Sequence, residues 1–294
     1  MKLRMASPAS TRGGSRRATR RPARLRLWPP RALRRRWLRR LGRAPLILRV
    51  GLGVVLAAAL ALAGNALYQV IRKPTELFFP VSGTLYKAPP ETWRKYGPLF
   101  RRYATHSIPP QLLAALAQVE GSGNPLARTS WRWSWVFRPF EVYRPASSAV
   151  GMYQITDGTF AEARHYCIHA HSLVREGAWD DWHACWFNAL YSRVLPADAV
   201  ELTSAYLELK VTGVLARPGI ARASAEQKQH LAAVVHLCGA AAAAAYAREG
   251  FRFGEGQHCG DHDPRAYLSR VDEMEAVFAR LAAADEGRGA ALTQ

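Results

Sequence analysis

The chain has 294 residues, of which 49% are hydrophobic and nine are Trp, a composition that excludes disorder over most of its length. Its net charge of +19 is confined to one end: residues 1–49 hold Lys2 and sixteen arginines without an acid, leaving 24 basic and 22 acidic side chains in the other 245 residues. A basic nucleic-acid-binding fold in the body of the chain is thereby excluded. Residues 1–49, with Pro, Ser and Gly among the arginines, read as a disordered cytoplasmic tail whose charges can touch anionic lipid or nucleic acid.

Residues 50–71 begin VGLGVVLAAALALA and read as a transmembrane segment. About twenty-two residues at 1.5 Å each cover roughly 33 Å, enough for a bilayer core of about 30 Å. A buried core helix fits poorly, because an all-round apolar surface needs neighbours on every side. Asn65 and Gln69 are expected near the membrane interface. Arginines on one side place the tail in the cytoplasm and send everything after Ile71 across the membrane. Two forms of the mature product stay open. An uncleaved signal anchor suits the long segment before the apolar run, whereas a signal peptide cleaved near Ala61-Leu62-Ala63 would release the rest to the periplasm.

Residues 72–91, with four prolines, read as a connector. From residue 92 onward the helical period dominates, so the predicted fold class is mainly α. Trp93, Tyr96, Leu99, Phe100 and Tyr103 form one amphipathic face over 92–104. The segment PPQLLAALAQVEG starts at a double proline and stops at Gly121, the asymmetry of helix ends. Further helices are expected over 159–167, 181–195, 198–214, 224–248 and 264–284, with a frayed tail over 285–294. Residues 130–140 alternate Trp131, Trp133, Trp135 and Phe137, a period of two that predicts a short strand, hairpin or extended loop.

All four cysteines, at 167, 185, 238 and 259, follow the apolar segment. An even number in a translocated domain implies two disulfides, with three connectivities possible. Sequential pairing closes two loops of about twenty residues, each worth roughly 3 kcal/mol in the loop-entropy model. The competing reading is a zinc site built from His165, Cys167, His169, His171, His183 and Cys185, although the spacing matches no standard zinc module.

Glu120 is the only acid between Glu91 and Glu141, and Leu113 and Leu116 lie seven and four residues before it, on the same helix face. A carboxyl on an apolar face is drawn out of water, as a general acid at neutral pH requires. Around it, PQLLAALAQVE runs into GSGNPLA, and AVGMYQITDGTF follows about thirty residues later. These segments resemble the two leading motifs of the soluble lytic transglycosylase domain family, whose fold is like goose-type lysozyme. Glu120, Asn124 and Pro125 match the first motif. Ala149, Gly151, Met152, Gln154 and Thr159 match the second, with Tyr153 at a Met position. Tyr267 and Val271 match the closing motif, so the resemblance covers roughly 92–282 and defines a domain expected over 92–284.

Three departures accompany the match. Gly121 stands where the family has Ser, with Ser122 one place later. Val235-His236-Leu237-Cys238-Gly239 replaces an Ala-Tyr-Asn-x-Gly stretch, and the Trp-rich segment is an insertion.

The resemblance implies a lysozyme-like helical domain that cleaves the β-1,4 bond between N-acetylmuramic acid and N-acetylglucosamine in peptidoglycan, without water, to a 1,6-anhydromuramoyl end. Glu120 would be the single general acid and base. Gln154, Tyr267, Tyr153, Ser122, His236 and Trp135 are the expected substrate-binding residues, and no cofactor or metal is implied. Trp131, Trp133 and Trp135 either stack on sugar rings or pack the insertion onto the domain, and Tyr143, Arg144 and Ser147 are candidates for the groove. A second carboxylate at Asp157 is disfavoured, because Asp157-Gly158 reads as a turn pair and Thr159 to Glu162 as a capping box. The implied partner is the peptidoglycan glycan strand, with no nucleic acid for the folded domain. Two alternatives remain, a lysozyme-type hydrolase and a catalytically weak wall-binding component of a secretion or conjugation apparatus.

Overall fold

The computed structural model describes residues 42–134, 138, 140–178, 180–181, 183–220 and 222–292; most of the Arg-rich tail, and Trp135, lie outside them. Contacts divide the chain into two units, Met1–Ala59 and Leu60–Gln294. The described part of the first unit is mainly the start of α1 (Leu46–Arg72), a helix long and apolar enough to cross a membrane. It begins four residues before the expected segment.

The second unit is mainly helical. At its start Asn65 and Gln69 are buried against the domain: their amides donate to the carbonyls of Tyr143 (2.6 Å) and Phe140 (2.8 Å). Residues 72–91 are also more than a spacer. A 3₁₀ turn (Pro74–Phe78) and the short α2 (Phe79–Ser82) bury Glu76, whose carboxylate meets Lys73, Arg128 and the Trp131 indole N–H. An acid placed out of water needs these partners, and they fasten the segment to the domain.

α3 (Pro89–Tyr103) turns Trp93, Tyr96 and Phe100 inward. α4 (Pro110–Gly121) is the hub, buried on every side from Leu112 to Ala117 because its alanines let α3 and α8 (Pro264–Leu292) come close. α6 (Pro196–Leu215) packs against α7 (Ala225–Arg248) and completes the core. α7 is not one continuous helix, since Gly239 breaks it at φ 81°, ψ 170°. Its apolar length would suit a membrane, but half of that stretch is buried within the domain.

β1 (Trp131–Trp133) and β2 (Tyr143–Pro145) form an antiparallel pair in the register Trp131↔Pro145, as the alternation predicts. α5 (Asp157–Ala163) is capped by Thr156, whose side chain accepts from the Thr159 N–H, so the cap falls three residues before the expected one. The end of the expected 159–167 helix belongs to a second hairpin, β3 (Tyr166–His169) with β4 (Ser172–Arg175). The expected helix over 181–195 is absent among the described residues apart from a 3₁₀ turn at Asn188–Leu190. Cys185 is disulfide-bonded to Cys167 on β3 and bridges Glu176, which ties that stretch to the second hairpin in place of a helix. The chain end is also corrected. α8 runs through Asp285, which accepts from the Trp93 indole (2.8 Å), to Leu292 instead of fraying at 285.

Both disulfides pair sequentially, Cys167–Cys185 and Cys238–Cys259. Oxidised cysteines supply no thiolates for the zinc alternative.

Candidate active site

Glu120 ends α4, and the chain leaves the helix through two left-handed residues, Ser122 (φ 48°) and Gly123 (φ 63°). The Ser122 N–H returns to the Ala117 and Gln118 carbonyls and closes the helix. Asn124 then locks the turn, being fully buried, donating to the Ser82 carbonyl (2.6 Å) and accepting from the Leu126 N–H (2.9 Å). The 149–155 segment folds over this turn, with its own left-handed residues at Gly151 and Gln154. It comes so close that a Cβ on Gly121 would lie 2.8 Å from the Met152 backbone.

α8 runs beside α4 and carries Tyr267, whose hydroxyl donates to Glu120 Oε1 at 2.6 Å. His236, just before the break in α7, places Nε2 3.7 Å from the same oxygen. The Glu120 side chain is 19% exposed and that of His236 12% exposed, so both are shielded yet reachable. Burial pushes the Tyr267 phenol well above its ordinary range, and the adjacent Glu120 carboxylate adds to the effect. The phenol therefore stays protonated and donates its O–H to the Glu120 carboxylate.

Glu120 and Tyr267 line a cleft of about 490 Å³ with Leu237, His262, Arg270 and Glu273. A smaller cavity of about 180 Å³ is lined by His236, Gln154, Thr156, Thr159, Thr203 and Tyr206 among others. The imidazole of His236 thus belongs to one cavity while reaching the carboxylate of the other. A shielded carboxyl held by a phenol, with an imidazole beside it and an open cleft in front, can give and take a proton at a bound ligand.

Three expected site residues, Glu120, Tyr267 and His236, come together. Gln154 lines the smaller cavity rather than the Glu120 cleft, and its amide is engaged by the Ala127 and Gly151 carbonyls. Tyr153 is a correction: it is fully buried, with its hydroxyl on the Leu113 carbonyl (3.0 Å), so it packs the core and cannot meet substrate. Ser122 serves as the helix cap and lines neither cavity. Trp135 lies outside the described residues. Trp131 is anchored on Glu76, and Trp133 packs on Tyr143 at 4.8 Å while remaining 60% exposed. Asp157 is ion-paired with Arg193 (2.8 Å) and lines neither cavity.

The residues not anticipated are His262, Arg270 and Glu273. Arg270 follows Tyr267 by three positions on the same helix, and Glu273 by six, a spacing that could have marked both. His262 arrives by another route. Cys259, disulfide-bonded to Cys238 beside Leu237, exchanges two backbone hydrogen bonds with His262.

The fold and site define a mainly helical domain with a carboxyl, phenol and imidazole set at a cleft. The sequence matches no family model and no curated protein.

Proposed function

We propose that this chain is a peptidoglycan lytic transglycosylase with a lysozyme-like domain, held at the inner membrane by α1 and facing the periplasm. The observation that carries the reading is the 2.6 Å hydrogen bond from Tyr267 to Glu120 at the mouth of the 490 Å³ cleft, which joins the first and last of the resembling motifs. Two disulfides suit an oxidising compartment, and an apolar helix with no buried side chain in its most hydrophobic stretch suits a bilayer.

In this reaction Glu120 protonates the glycosidic oxygen as the bond to C1 breaks. The resulting carboxylate then takes the proton of the muramoyl 6-hydroxyl as that oxygen closes on C1. One carboxyl serves both steps, and no water is consumed. Tyr267 orients the carboxyl through its hydrogen bond, and Leu237 gives the cleft an apolar lining where the family pattern has Asn.

A second reading, a lysozyme-type hydrolase, is favoured by one observation: Glu273 lines the same cleft and supplies the second carboxylate that hydrolysis commonly uses. Mass spectrometry of digested sacculi separates the two, since anhydromuramic ends mark the transglycosylase and reducing muramic acid marks the hydrolase. Glu120→Gln should abolish release of soluble muropeptides in both, and retained release would overturn the role of Glu120. Binding of sacculi by the unaltered chain without any release would leave only the wall-binding alternative.

A further inference from the structure

A second cleft, of about 340 Å³, lies at the C-terminal end of α1. Five cationic side chains line it, Arg72, Lys73, Arg132, Arg144 and Arg193, against one acid, Asp157. Ion pairs account for part of this charge. Arg193 meets Asp157 at 2.8 Å, Lys73 meets Glu76 at 3.3 Å, and Arg72 and Arg144 share Glu141 at 3.3 Å each. Glu76 and Glu141 are further divided, since Arg128 also takes Glu76 and Arg138 also takes Glu141. Six cations therefore meet three carboxylates, and a seventh, Arg132, has no hydrogen-bond or ion-pair partner among the described residues.

The strand register sharpens the imbalance. Arg132 and Arg144 are direct cross-strand partners in the β1/β2 pair, and both line the cleft. Like charges facing each other across a ladder destabilise it unless an anion lies between them. Neutral donors converge on the same space. Thr75 lines the cleft, and its hydroxyl oxygen, shielded from water, has no hydrogen-bond partner among the described residues. The Ser147 and Ser148 hydroxyls accept backbone N–H bonds from Ala149 and Asp157, which leaves their protons available to a ligand. Forked guanidinium groups beside hydroxyl-bearing residues match the oxygens of a phosphate, with charge-assisted bonds from the forks.

We propose that this cleft binds a phosphate oxyanion, supplied by the headgroup of an anionic phospholipid. The source follows from position. Gln69 and Arg72 at the cleft belong to the last turns of α1, and their helix neighbours Leu67 and Ile71 are exposed apolar side chains at the end of the segment read as membrane-spanning. The site does not depend on the glycosidase reading, because none of its residues lines the Glu120 cleft.

The test uses the full chain in neutral detergent micelles, titrated with short-chain phosphatidylglycerol, phosphatidylcholine or inorganic phosphate, with bound ligand counted by native mass spectrometry. Phosphatidylglycerol should bind at least about tenfold more tightly than phosphatidylcholine, and Arg132→Gln should lower that affinity by about tenfold, the loss of one charge-assisted contact. Since Arg132 is exposed and has no partner among the described residues, the variant should melt no lower than the parent without ligand, which separates lost binding from lost folding. Equal binding of the two lipids, or unchanged affinity in Arg132→Gln, would overturn the proposal. Inorganic phosphate that binds as tightly as the lipid and displaces it would keep the oxyanion site and remove the bilayer as its source.

Discussion

Gly121 follows the candidate acid because the Met152 Cα and carbonyl oxygen would each lie 2.8 Å from any Cβ placed there. The departure from the family's Ser is thus tied to how closely the 149–155 segment crosses the end of α4. Tyr267 is the residue on which the carboxyl depends most directly. Its phenol is almost wholly buried, is held protonated, and donates to Glu120 at 2.6 Å. Tyr267→Phe keeps the ring packing and removes only this bond to an ionisable group. A loss of about 1.5–3 kcal/mol is expected, which is roughly tenfold to a hundredfold in kcat for muropeptide release with KM little changed. An unchanged kcat would separate the phenol from the chemistry.

At the scale of elements, the break in α7 presents His236 and Leu237 to the site. Gly239 sits at φ 81° and ψ 170°, a region essentially closed to side chains. Gly239→Ala should cost about 1–3 kcal/mol of stability by denaturant titration, and its activity should fall by more than the stability loss explains if the break positions His236. The Cys238–Cys259 disulfide is the companion device. It closes a loop with a sequence separation of 21 and brings His262 to the cleft. Replacing both cysteines by Ser should lower stability by roughly 3 kcal/mol and raise KM, whereas the same stability loss with an unaltered KM would confine the bond to folding.

For the whole molecule, stability carries a pH signature from α8. Glu275, beside Asp272 and Glu226, is pushed up to about 7, first by burial and then by those two acids. A carboxyl whose pKa is raised in the folded state contributes most below its ordinary value of 4.5, and that contribution is lost as pH rises through about 7. Glu275→Gln should therefore raise stability above pH 7 by on the order of 1–2 kcal/mol once solvent screening is allowed for, and should flatten the melting temperature between pH 5 and 8. A variant whose melting curve keeps the parent's pH dependence would assign the effect to other groups.

Much of this architecture was legible in residue order because it depends on local chemistry. Apolar periodicity marked α3, α4, α6 and the start of α8, the uninterrupted apolar run marked α1, and the alternating tryptophans marked the first hairpin. The lone acid among apolar residues singled out Glu120, and cysteine parity with short spacing pointed to the two disulfides. Residue order could not tell which side of a segment faces another segment, since that depends on groups brought together from far apart in the chain. Packing sent Tyr153 into the core, turned Asn65 and Gln69 onto the 140–143 backbone, tied the 181–195 stretch to β3 through Cys185, and gathered His262, Arg270 and Glu273 around a carboxyl identified on its own helix. The charge divides in the same way. Its excess at the N-terminus is a property of composition, whereas the cationic cleft of Arg72, Arg132 and Arg144 exists only because a strand register sets two arginines opposite each other beside the end of α1.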